Sequence, residues 1–312
     1  MKKWRGAVCG VGYLGRFHAQ KIKAHAGCEL VGVFDTRLDQ SETVAKELGV
    51  PSFKTLDQVA AAVDFVIVAA ATQAHYELAQ FFLSKKIPTL VEKPIAATAE
   101  LGFKLAKLAS EQNVMFTVGH IERFNPSFDF IRENKNKIKY LELNRCAPFK
   151  PRGSDVSVMH DLTVHDLDLV DELFNIFDPK SETQIMESKI FGHKMITPTL
   201  DEISLRLKLN NGTQVTINNS RTTPMIIRNA RAVFTDRTLF INTATQEGEI
   251  LTSDPTSVEK IKTEKFVVNK VDALSLELSH FVDALNGKHS VKVNPESAAR
   301  QLQKIEEFVA SV

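Results

Sequence analysis

The sequence predicts an α/β fold with an N-terminal doubly wound parallel sheet, followed by an α+β domain with a large, mostly antiparallel open sheet. Three observations support this fold class. Over roughly the first 120 residues, short apolar runs alternate with amphipathic stretches. A string of three glycines, from Gly10 to Gly15, follows the first apolar run. After Gly119, polar and apolar residues begin to alternate. The first pattern is typical of parallel strands joined by helices, and the last is typical of antiparallel strands with one buried face.

The predicted strands of the first part are apolar at consecutive positions and rich in Val and Ile, which is typical of strands buried on both faces. They cover Gly6 to Cys9, Leu30 to Phe34, Phe65 to Ala69, Thr89 to Val91 and Met115 to Val118. Helical spacing of apolar residues is found over Leu14 to His25, Gln40 to Leu48, His75 to Leu83 and Ala99 to Gln112. Because strands and helices alternate, we expect one parallel sheet with right-handed crossovers.

A β-hairpin is the clearest feature of the second part. Apolar and polar residues alternate from Ile203 to Leu209, Asn211-Gly212 marks a tight turn, and the alternation resumes from Val215 to Ile217. Further strands are predicted around Arg231 to Phe234, Leu239 to Asn242 and Phe266 to Val268, and helices over His160 to Phe174, Ala273 to Leu285 and Pro295 to Val309. We therefore divide the chain into a first domain of residues 1–120 and a second domain of residues 121–312.

Composition and charge argue against several classes of protein. The 312 residues include 39 Lys plus Arg and 38 Asp plus Glu, a formal net charge of +1. A general nucleic-acid binder, which must neutralise phosphates, is therefore not expected. Neither the roughly 20 consecutive apolar residues of a membrane helix nor the apolar core of a secretory signal is present. The three cysteines are widely spaced, so we expect a cytoplasmic protein without a disulfide framework or a metal site.

The glycine string has the form Gly-x-Gly-x-x-Gly and stands between a predicted strand and a predicted helix, as in the dinucleotide-binding (Rossmann) fingerprint. Gly10 permits the tight turn, Gly12 lets the backbone approach a pyrophosphate, and Gly15 lets the helix pack closely on the strand. The amides of Tyr13 and Leu14 would point at the phosphates from the positive end of the helix dipole. The alternative is a nucleotide-free domain in which these glycines are purely structural.

An acidic residue at the end of the second strand completes the fingerprint. Asp35 lies 20 residues after Gly15. A carboxylate at this position accepts hydrogen bonds from the ribose 2′-hydroxyl and repels a 2′-phosphate, which favours NAD as the cofactor. Arg37, two residues further on, could accommodate a phosphate, so NADP stays open.

Glu92-Lys93-Pro94 follows the fourth predicted strand. Ligands of open α/β sheets bind beyond the carboxyl ends of the strands, so we expect this tripeptide to face the cofactor. The proline restricts Lys93 to extended backbone conformations and thereby limits where its ammonium group can reach. The alternative is a solvated lysine in an ordinary loop.

Asp161 and His165 lie in the helix predicted from His160 and are four residues apart, so they share a face of that helix. An imidazole that titrates near neutrality can accept a proton from an alcohol, and a carboxylate on the same face can orient the ring or hold the substrate. Two alternatives are acidic residues placed for the helix dipole and a metal site. The histidine spacing differs from the zinc-binding His-Glu-x-x-His.

Together these motifs resemble those of the Gfo/Idh/MocA oxidoreductases over nearly the whole chain. The resemblance rests on the glycine string, Thr72 to His75, Glu92-Lys93-Pro94 and Asp161-x-x-x-His165. It implies an NAD-binding Rossmann domain contacted by the cofactor at Thr72, His75, Glu92 and Lys93, among others. It also implies an active site that contains Lys93, His165 and Asp161.

The same resemblance implies that the second domain binds the substrate and that its open sheet forms contacts between subunits, so we expect a dimer or a tetramer. One departure from the family pattern is Ser154-Asp155-Val156-Ser157, where many members have a glycine-rich run. The floor of the substrate site is therefore not predicted.

Two further strings are similar to those of UDP-N-acetylglucosamine 3-dehydrogenases, which supply amino-sugar precursors of lipid A. They are Val118 to Pro126 and Ala147 to Gly153. The similarity implies substrate contacts from Arg123 and Asn125 in the first string. In the second, Lys150 and Arg152 lie in a proline-stiffened loop and could bind a nucleotide pyrophosphate, arginine through its paired donors. A solvated basic loop is the alternative.

The leading hypothesis is NAD-dependent oxidation of a secondary alcohol on a nucleotide sugar. His165 would act as general base, Lys93 would stabilise the developing alkoxide, and Asp161 would orient His165 or a sugar hydroxyl. One alternative is a dehydrogenase or reductase of inositol or another free polyol. Another is an NAD-sensing regulatory protein, which would need neither Asp161 nor His165. The expected partner is a small sugar molecule, with no nucleic acid and no membrane.

Overall fold

The computed structural model describes residues 3–150, 156–268 and 270–312. The chain forms two compact units. The first contains Met1–Phe124 and Asp272–Gln303, and the second contains Asn125–Val271 and Lys304–Val312. The sequence division at residue 120 places residues 272–303 in the second domain, whereas in the structure this segment packs with the first unit.

The physical reason for this difference is the apolar face of the segment 272–303. Leu278, Phe281 and Val282 are buried in one cluster with residues of the first sheet. The ring of Phe281 stacks edge-on against Phe65, with ring centroids 5.6 Å apart. A helical pattern in the sequence shows that such a face exists, but it does not identify the sheet that covers it.

Among its described residues, the first unit contains a five-stranded sheet in which each neighbouring pair is parallel. Its strands are β1 (Trp4–Cys9), β2 (Cys28–Phe34), β3 (Phe65–Val68), β4 (Thr89–Glu92) and β5 (Phe116–Gly119), in the order β2-β1-β3-β4-β5. The helices that connect them are α1 (Tyr13–Ala24), α2 (Leu38–Leu48), α3 (Leu56–Ala62), α4 (Thr72–Ser84) and α5 (Ala99–Gln112). The predicted parallel sheet is confirmed. The sequence does not predict α3, because Val59 is its one buried residue.

The strands of this sheet end in register. Cys9 of β1 pairs with Phe34 of β2 and with Val68 of β3. Glu92, the last residue of β4, pairs with Gly119, the last residue of β5. The residues that follow the strands therefore meet at one edge, where open parallel sheets bind their ligands. The glycine string, the acidic residue of the fingerprint and the lysine motif all begin at this edge.

The second unit contains a sheet of eight strands within the described ranges. They are β6 (Ile138–Cys146), β7 (Ile185–His193), β8 (Glu202–Leu209), β9 (Gln214–Ser220), β10 (Ile227–Phe234), β11 (Arg237–Asn242), β12 (Glu247–Ser253) and β13 (Ile261–Val267), in the order β13-β12-β11-β10-β6-β9-β8-β7. Neighbours are antiparallel, apart from the parallel pair β6 and β9. The mostly antiparallel sheet is confirmed.

Further α-helices of the chain are α6 (Asp129–Glu133), α7 (Val164–Phe174), α8 (Ala273–Leu285) and α9 (Pro295–Ala310). Of the helices that the structure describes, none has both the length and the apolarity needed to cross a bilayer. In the second unit, Leu167, Val170 and Leu173 of α7 are buried in the same cluster as residues of the sheet. Burying such a side chain contributes about 1.5–3 kcal/mol, so this face determines which side of α7 packs on the strands.

The hairpin predicted from Ile203 to Ile217 corresponds to β8 and β9, which pair antiparallel on either side of Gly212. Gly212 has a φ of +86°, as the predicted tight turn requires. The sequence does not predict β6, β7 and β12. Strand β7 is at the edge of the sheet and has no buried residue, so its sequence lacks the alternation on which the prediction depends.

Candidate active site

The loop between β1 and α1 has no room for a side chain at two of its glycines. Gly10 has a φ of +87°, and a Cβ built on it lies 2.4 Å from backbone atoms of Ala70. A Cβ on Gly15 lies 1.8 Å from the carbonyl oxygen of Gly10. By contrast, a Cβ on Gly12 has no atom within 4 Å. The fold therefore requires Gly10 and Gly15, while Gly12 leaves an open approach to the backbone.

Gly12 is also the N-cap residue of α1. Among the described residues, no side chain caps this helix, and its first turn contains no acidic residue. An uncapped helix N-terminus presents backbone N–H groups and the positive end of the helix dipole to a ligand. The open backbone and this unneutralised N-terminus fit the pyrophosphate of a dinucleotide.

Asp35 supports this loop from the end of β2. Its carboxylate accepts hydrogen bonds from the backbone N–H of Val11 (2.8 Å, Oδ2) and of Arg37 (3.0 Å, Oδ1). Each carboxylate oxygen has two lone pairs, so Asp35 can still accept a hydrogen bond from a ribose hydroxyl. The Arg37 side chain is 66% exposed, with Nε 3.9 Å from Asp35 Oδ1. The carboxylate therefore fits the ribose of NAD, and Arg37 still leaves NADP open.

The Lys93 segment is held on both sides by buried histidines. His18 Nε2 lies 2.7 Å from Glu92 Oε1, and Glu92 Oε2 accepts a hydrogen bond from the backbone N–H of Lys93 (3.1 Å). Beyond the cis Lys93–Pro94 bond, the carbonyl oxygen of Pro94 lies 2.8 Å from His75 Nδ1. Both histidines are 1% exposed. The backbone around Lys93 is therefore fixed to α1 and to α4.

His75, which the family resemblance implies as a cofactor contact, has a buried side chain in the structure. Its other ring nitrogen, Nε2, lies 3.1 Å from the carbonyl oxygen of Ala70, so the ring connects the loops that follow β3 and β4. Burial lowers the pKa of His75, although both carbonyl oxygens favour the charged form. His75 therefore shapes, from inside the protein, the edge of the first sheet where the residues that follow its strands meet. We call this the cofactor edge. Thr72, the first residue of α4, is partly exposed at this edge.

Asp161 and His165 lie where the structure replaces a regular helix start with a π-helical turn. This turn, Met159–Thr163, contains Asp161 and runs directly into α7, which contains His165 in its first turn. Both side chains are partly exposed. The sequence predicts a regular helix from His160, whereas the structure begins this segment with a π turn, which inserts an extra residue into the helix. π turns are frequent at functional sites.

A buried ion pair fixes the part of α7 that carries His165. Asp166 Oδ1 accepts hydrogen bonds from Arg145 Nε (3.1 Å) and Nη2 (2.9 Å), and Asp166 Oδ2 accepts one from Asn219 Nδ2 (2.6 Å). All three side chains are buried. Arg145 belongs to β6 and Asn219 to the neighbouring β9, so the pair fixes the backbone next to His165 to two strands.

A second buried ion pair holds the chain before the π turn. Asp201 Oδ1 accepts from Arg221 Nε (2.7 Å), and Asp201 Oδ2 accepts from the backbone N–H groups of residues 195–197. Burial raises the pKa of Asp201, but the backbone N–H groups and Arg221 outweigh burial and hold this pKa well below its usual range. Arg221 Nη1 also donates to the carbonyl oxygen of Val156 (2.9 Å). The charged Asp201 therefore organises the approach to the π turn.

The remaining predicted substrate residues differ in their surroundings. Arg123 is buried and its Nη1 donates to the carbonyl oxygen of Lys292 (3.1 Å). Asn125 is buried, and its Oδ1 accepts from the backbone N–H of Ser127 (3.0 Å). These contacts give both side chains a role in local loop structure. Lys150 is exposed after β6, whereas Arg152 lies outside the described residues, as do Ser154 and Asp155.

Comparison with known proteins identifies the family. Residues 4–120 match the Gfo/Idh/MocA family described as "Oxidoreductase family, NAD-binding Rossmann fold". Over 285 residues the chain is 32% identical to the UDP-N-acetylglucosamine 3-dehydrogenase of Acidithiobacillus ferrooxidans, covering 90% of this chain and 88% of that relative. The chain belongs to the Gfo/Idh/MocA family of oxidoreductases.

Two further comparisons extend over both units of this family member. A solved structure of the same Acidithiobacillus ferrooxidans enzyme matches with a TM-score of 0.90 and 30% identity, covering 100% of this chain and 98% of that one. The inositol 2-dehydrogenase of Rhizobium meliloti is 27% identical over 231 residues, covering 70% of this chain and 68% of that enzyme. The predicted family, fold class and NAD cofactor are confirmed, and the chain is an oxidoreductase.

Several residues that shape the site belong to no recognised motif. His18 stands three residues after Gly15, but a single histidine in a helix carries no motif. Arg145 offered a signal, because a charged residue at the inward position of an apolar strand requires a buried partner. The sequence does not show that this partner is Asp166.

We predict that Gly10→Ala destabilises the protein more than Gly49→Ala. Gly49 also has a positive φ, of +66°, but a Cβ there has no atom within 4 Å. Its substitution therefore adds backbone strain alone, about 1–2 kcal/mol. Gly10→Ala adds a clash with the backbone of Ala70, so we expect a loss of about 3 kcal/mol or more. Urea unfolding measures both variants, and equal losses would contradict the packing described for Gly10.

Proposed function

We propose that the chain catalyses NAD-dependent oxidation of a secondary alcohol on a nucleotide sugar, specifically the 3-hydroxyl of UDP-N-acetylglucosamine. The observation that carries this proposal is the 32% identity to a UDP-N-acetylglucosamine 3-dehydrogenase over 90% of the chain, a length that spans both units. The reaction would supply amino-sugar precursors such as those of lipid A.

Lys93 is the partly exposed residue of an otherwise buried segment. Within residues 91–96, every residue except Lys93 is buried. The contacts of Glu92 and His75 fix the backbone on either side. The chain therefore presents one ammonium group from a rigid support at the ligand-binding edge of the sheet. Such preorganisation suits a group that must stabilise charge developing on a substrate oxygen.

We assign the steps of the reaction to three side chains. His165 takes the proton of the hydroxyl group as general base, and Asp161 orients the imidazole or a neighbouring sugar hydroxyl. Lys93 donates a hydrogen bond to the oxygen as it becomes an alkoxide. NAD, when bound, supplies the acceptor for the hydride that leaves the sugar carbon. The C–H and O–H bonds break, a C=O double bond forms, and the proton passes from His165 to solvent.

We assign the binding roles from the motifs of the sequence. Gly12, Tyr13, Leu14 and Asp35 are assigned to the pyrophosphate and ribose of NAD. Lys150 and Arg152 are assigned to the pyrophosphate of the UDP group, because a guanidinium binds such a group through paired donors. Arg123 and Asn125 are assigned a supporting role in their loop.

A free polyol is the second candidate substrate. The similarity to the inositol 2-dehydrogenase of Rhizobium meliloti, 27% over 231 residues, favours it. This alternative retains Lys93 and His165 in their roles. It has no use for Lys150 and Arg152, since inositol carries no phosphate.

We further propose a homo-oligomer, a dimer or a tetramer, that works in the cytoplasm. The large sheet exposes apolar side chains on β7, Met186 at 66% and Phe191 at 63%, which a second copy of the chain would cover. The three cysteines are free thiols, which suits a reducing compartment.

A panel of sugars tests the substrate. We expect NADH to form with UDP-N-acetylglucosamine, with kcat/KM at least about tenfold higher than with N-acetylglucosamine or myo-inositol, because the UDP group adds binding energy remote from the reacting carbon. Absorbance of NADH measures the rate, and mass spectrometry identifies the keto sugar. Turnover of uncharged polyols alone would contradict the assignment of Lys150 and Arg152.

We predict that Lys93→Ala and His165→Ala each lower kcat by about 10²-fold or more, since each removes a group that acts on the reacting hydroxyl. The Kd for NAD, measured by titration calorimetry, should stay within about threefold, because neither group supports the pyrophosphate loop. Lys107→Ala and His193→Ala are matched controls at exposed positions and should leave kcat unchanged. Normal turnover in either catalytic variant would contradict the role assigned to that residue.

A further inference from the structure

Three buried ionisable side chains meet behind Lys93. They are His18 of α1, Glu92 at the end of β4 and Glu277 of α8, and they are 1%, 6% and 3% exposed. A nitrogen or oxygen atom from each lies within 4.8 Å of those of the other two. Glu277 follows Glu92 by 185 residues in the sequence, and no motif connects the two. We call these three residues the buried triad.

The distances within the buried triad favour a hydrogen bond over a metal ion. Donor atoms that share a tetrahedral zinc ion stand about 3.3 Å apart, because each lies about 2.0–2.1 Å from the metal. His18 Nε2 and Glu92 Oε1 are 2.7 Å apart, which is a normal length for a charge-assisted hydrogen bond. A proton between these two atoms therefore accounts for the geometry.

The charges explain why a histidine accompanies the two acids of the buried triad. Two buried carboxylates at this separation repel each other unless a proton or a positive group lies between them. Burial alone raises the pKa of Glu92, but the hydrogen bond and the charge of His18, together with the charge of Lys93, outweigh it and lower this pKa. His18 and Lys93 therefore stabilise the charged form of Glu92.

A hydrogen bond from the Lys93 backbone N–H to Glu92 connects the buried triad with the Lys93 segment. Glu92 uses Oε1 for His18 and Oε2 for the backbone N–H of Lys93, so the orientation of this carboxylate sets the position of that N–H. Gly119 leaves room for this carboxylate, since a Cβ there would lie 3.1 Å from Glu92 Oε1. The carboxylate therefore has little freedom to turn while His18 donates to it.

We propose that His18 and Glu277 are positioning residues for Lys93 and act on it through Glu92. The inference rests on the proposed function in that Lys93 serves the reaction. His18 donates to one oxygen of Glu92 and leaves the other to hold Lys93. Glu277 places a second carboxylate within 4.8 Å of the same pair and adds negative charge that favours a protonated imidazole beside Glu92. Helix α8, far along the chain, thereby helps to build the cofactor edge of the first unit.

Conservative substitutions of His18 and Glu277 test their positioning role. Beside Glu277 the structure has a cavity of about 10 Å³ that His280 and Lys292 also line, so the isosteric Glu277→Gln meets no overpacking. His18→Gln keeps a side-chain N–H near the position of Nε2, whereas His18→Leu removes the donor. Asp283→Asn is a matched control on α8, because Asp283 is exposed and pairs with Lys288 instead.

Hydrogen exchange of the Lys93 backbone amide tests the inference without any substrate. The full-length protein with NAD is exchanged into deuterium oxide, and the amide of Lys93 is followed by mass spectrometry with fragmentation. We expect exchange at least about tenfold faster in His18→Leu, a smaller increase in Glu277→Gln, and wild-type exchange in His18→Gln and Asp283→Asn. Unchanged exchange in both His18→Leu and Glu277→Gln would overturn the inference.

Kinetics with UDP-N-acetylglucosamine give the second readout. In His18→Leu we expect kcat to fall by about 10-fold to 10²-fold with KM within about threefold, because a displaced Lys93 weakens the transition state more than substrate binding. His18→Gln should restore kcat. A rise in KM with kcat unchanged would contradict a positioning role for His18. If the wild type oxidises no sugar, the proposed function fails, while the exchange of Lys93 still decides the inference. One equivalent of a divalent metal per purified chain would overturn the proton-sharing account.

Discussion

The approach of Gly10 to the backbone of Ala70 is the contact on which the cofactor edge depends. A Cβ on Gly10 would stand 2.4 Å from Ala70, so the loops after β1 and β3 can touch only because this residue is glycine. The carbonyl oxygen of Ala70 then contacts His75, and the other ring nitrogen of His75 contacts Pro94. One continuous series of contacts therefore leads from the fingerprint glycine to the peptide bond after Lys93. The same series explains why His75 is buried although it lies in a binding motif.

In the second unit, buried ion pairs fix the backbone near Asp161 and His165. Asp166 fixes the start of α7 to β6 and β9, and Asp201 organises the chain before the π turn. Replacing a buried ion pair by apolar residues is often neutral or stabilising, so such pairs are weak evidence for stability. Here they fix the direction of a short irregular segment that contains Asp161 and His165. An α-helix with a wholly apolar anchor could slide or rotate, whereas Arg145 and Asn219 hold the two oxygens of Asp166 in a fixed direction.

Most of the elements that the sequence predicts have periodic burial, although β6, which also alternates, is not predicted. The parallel sheet and the hairpin around Gly212 follow from apolar runs and alternation, and both are confirmed. Strand β7 has no buried residue, so no pattern could reveal it. The motifs also predict that Asp35 and Lys93 stand at the ends of their strands. Partners distant in sequence are not predicted. The proximity of Glu277 to Glu92 and the ion pair of Arg145 with Asp166 depend on tertiary packing that no local pattern encodes.

Helix α8 shows the same limit at the level of the domain. Its apolar face is evident in the sequence, yet the residues that cover it, among them Phe65, belong to the first sheet. Chain order alone places α8 in the second domain, whereas the burial of its apolar face places it in the first unit. This packing is needed for the role that we propose for Glu277, because it brings Glu277 close to Glu92.

The central claim is that this chain moves hydride from carbon 3 of a UDP-sugar to NAD, with Lys93 and His165 acting on the attached oxygen. UDP-N-acetylglucosamine carrying deuterium at carbon 3 tests it most directly, with nuclear magnetic resonance of the coenzyme as the readout. We predict that one deuterium appears at carbon 4 of the nicotinamide for each keto sugar formed, and that turnover is slower than with the unlabelled sugar when chemistry limits the rate. NADH without deuterium, or tight binding of both NAD and the sugar without transfer, would contradict the account.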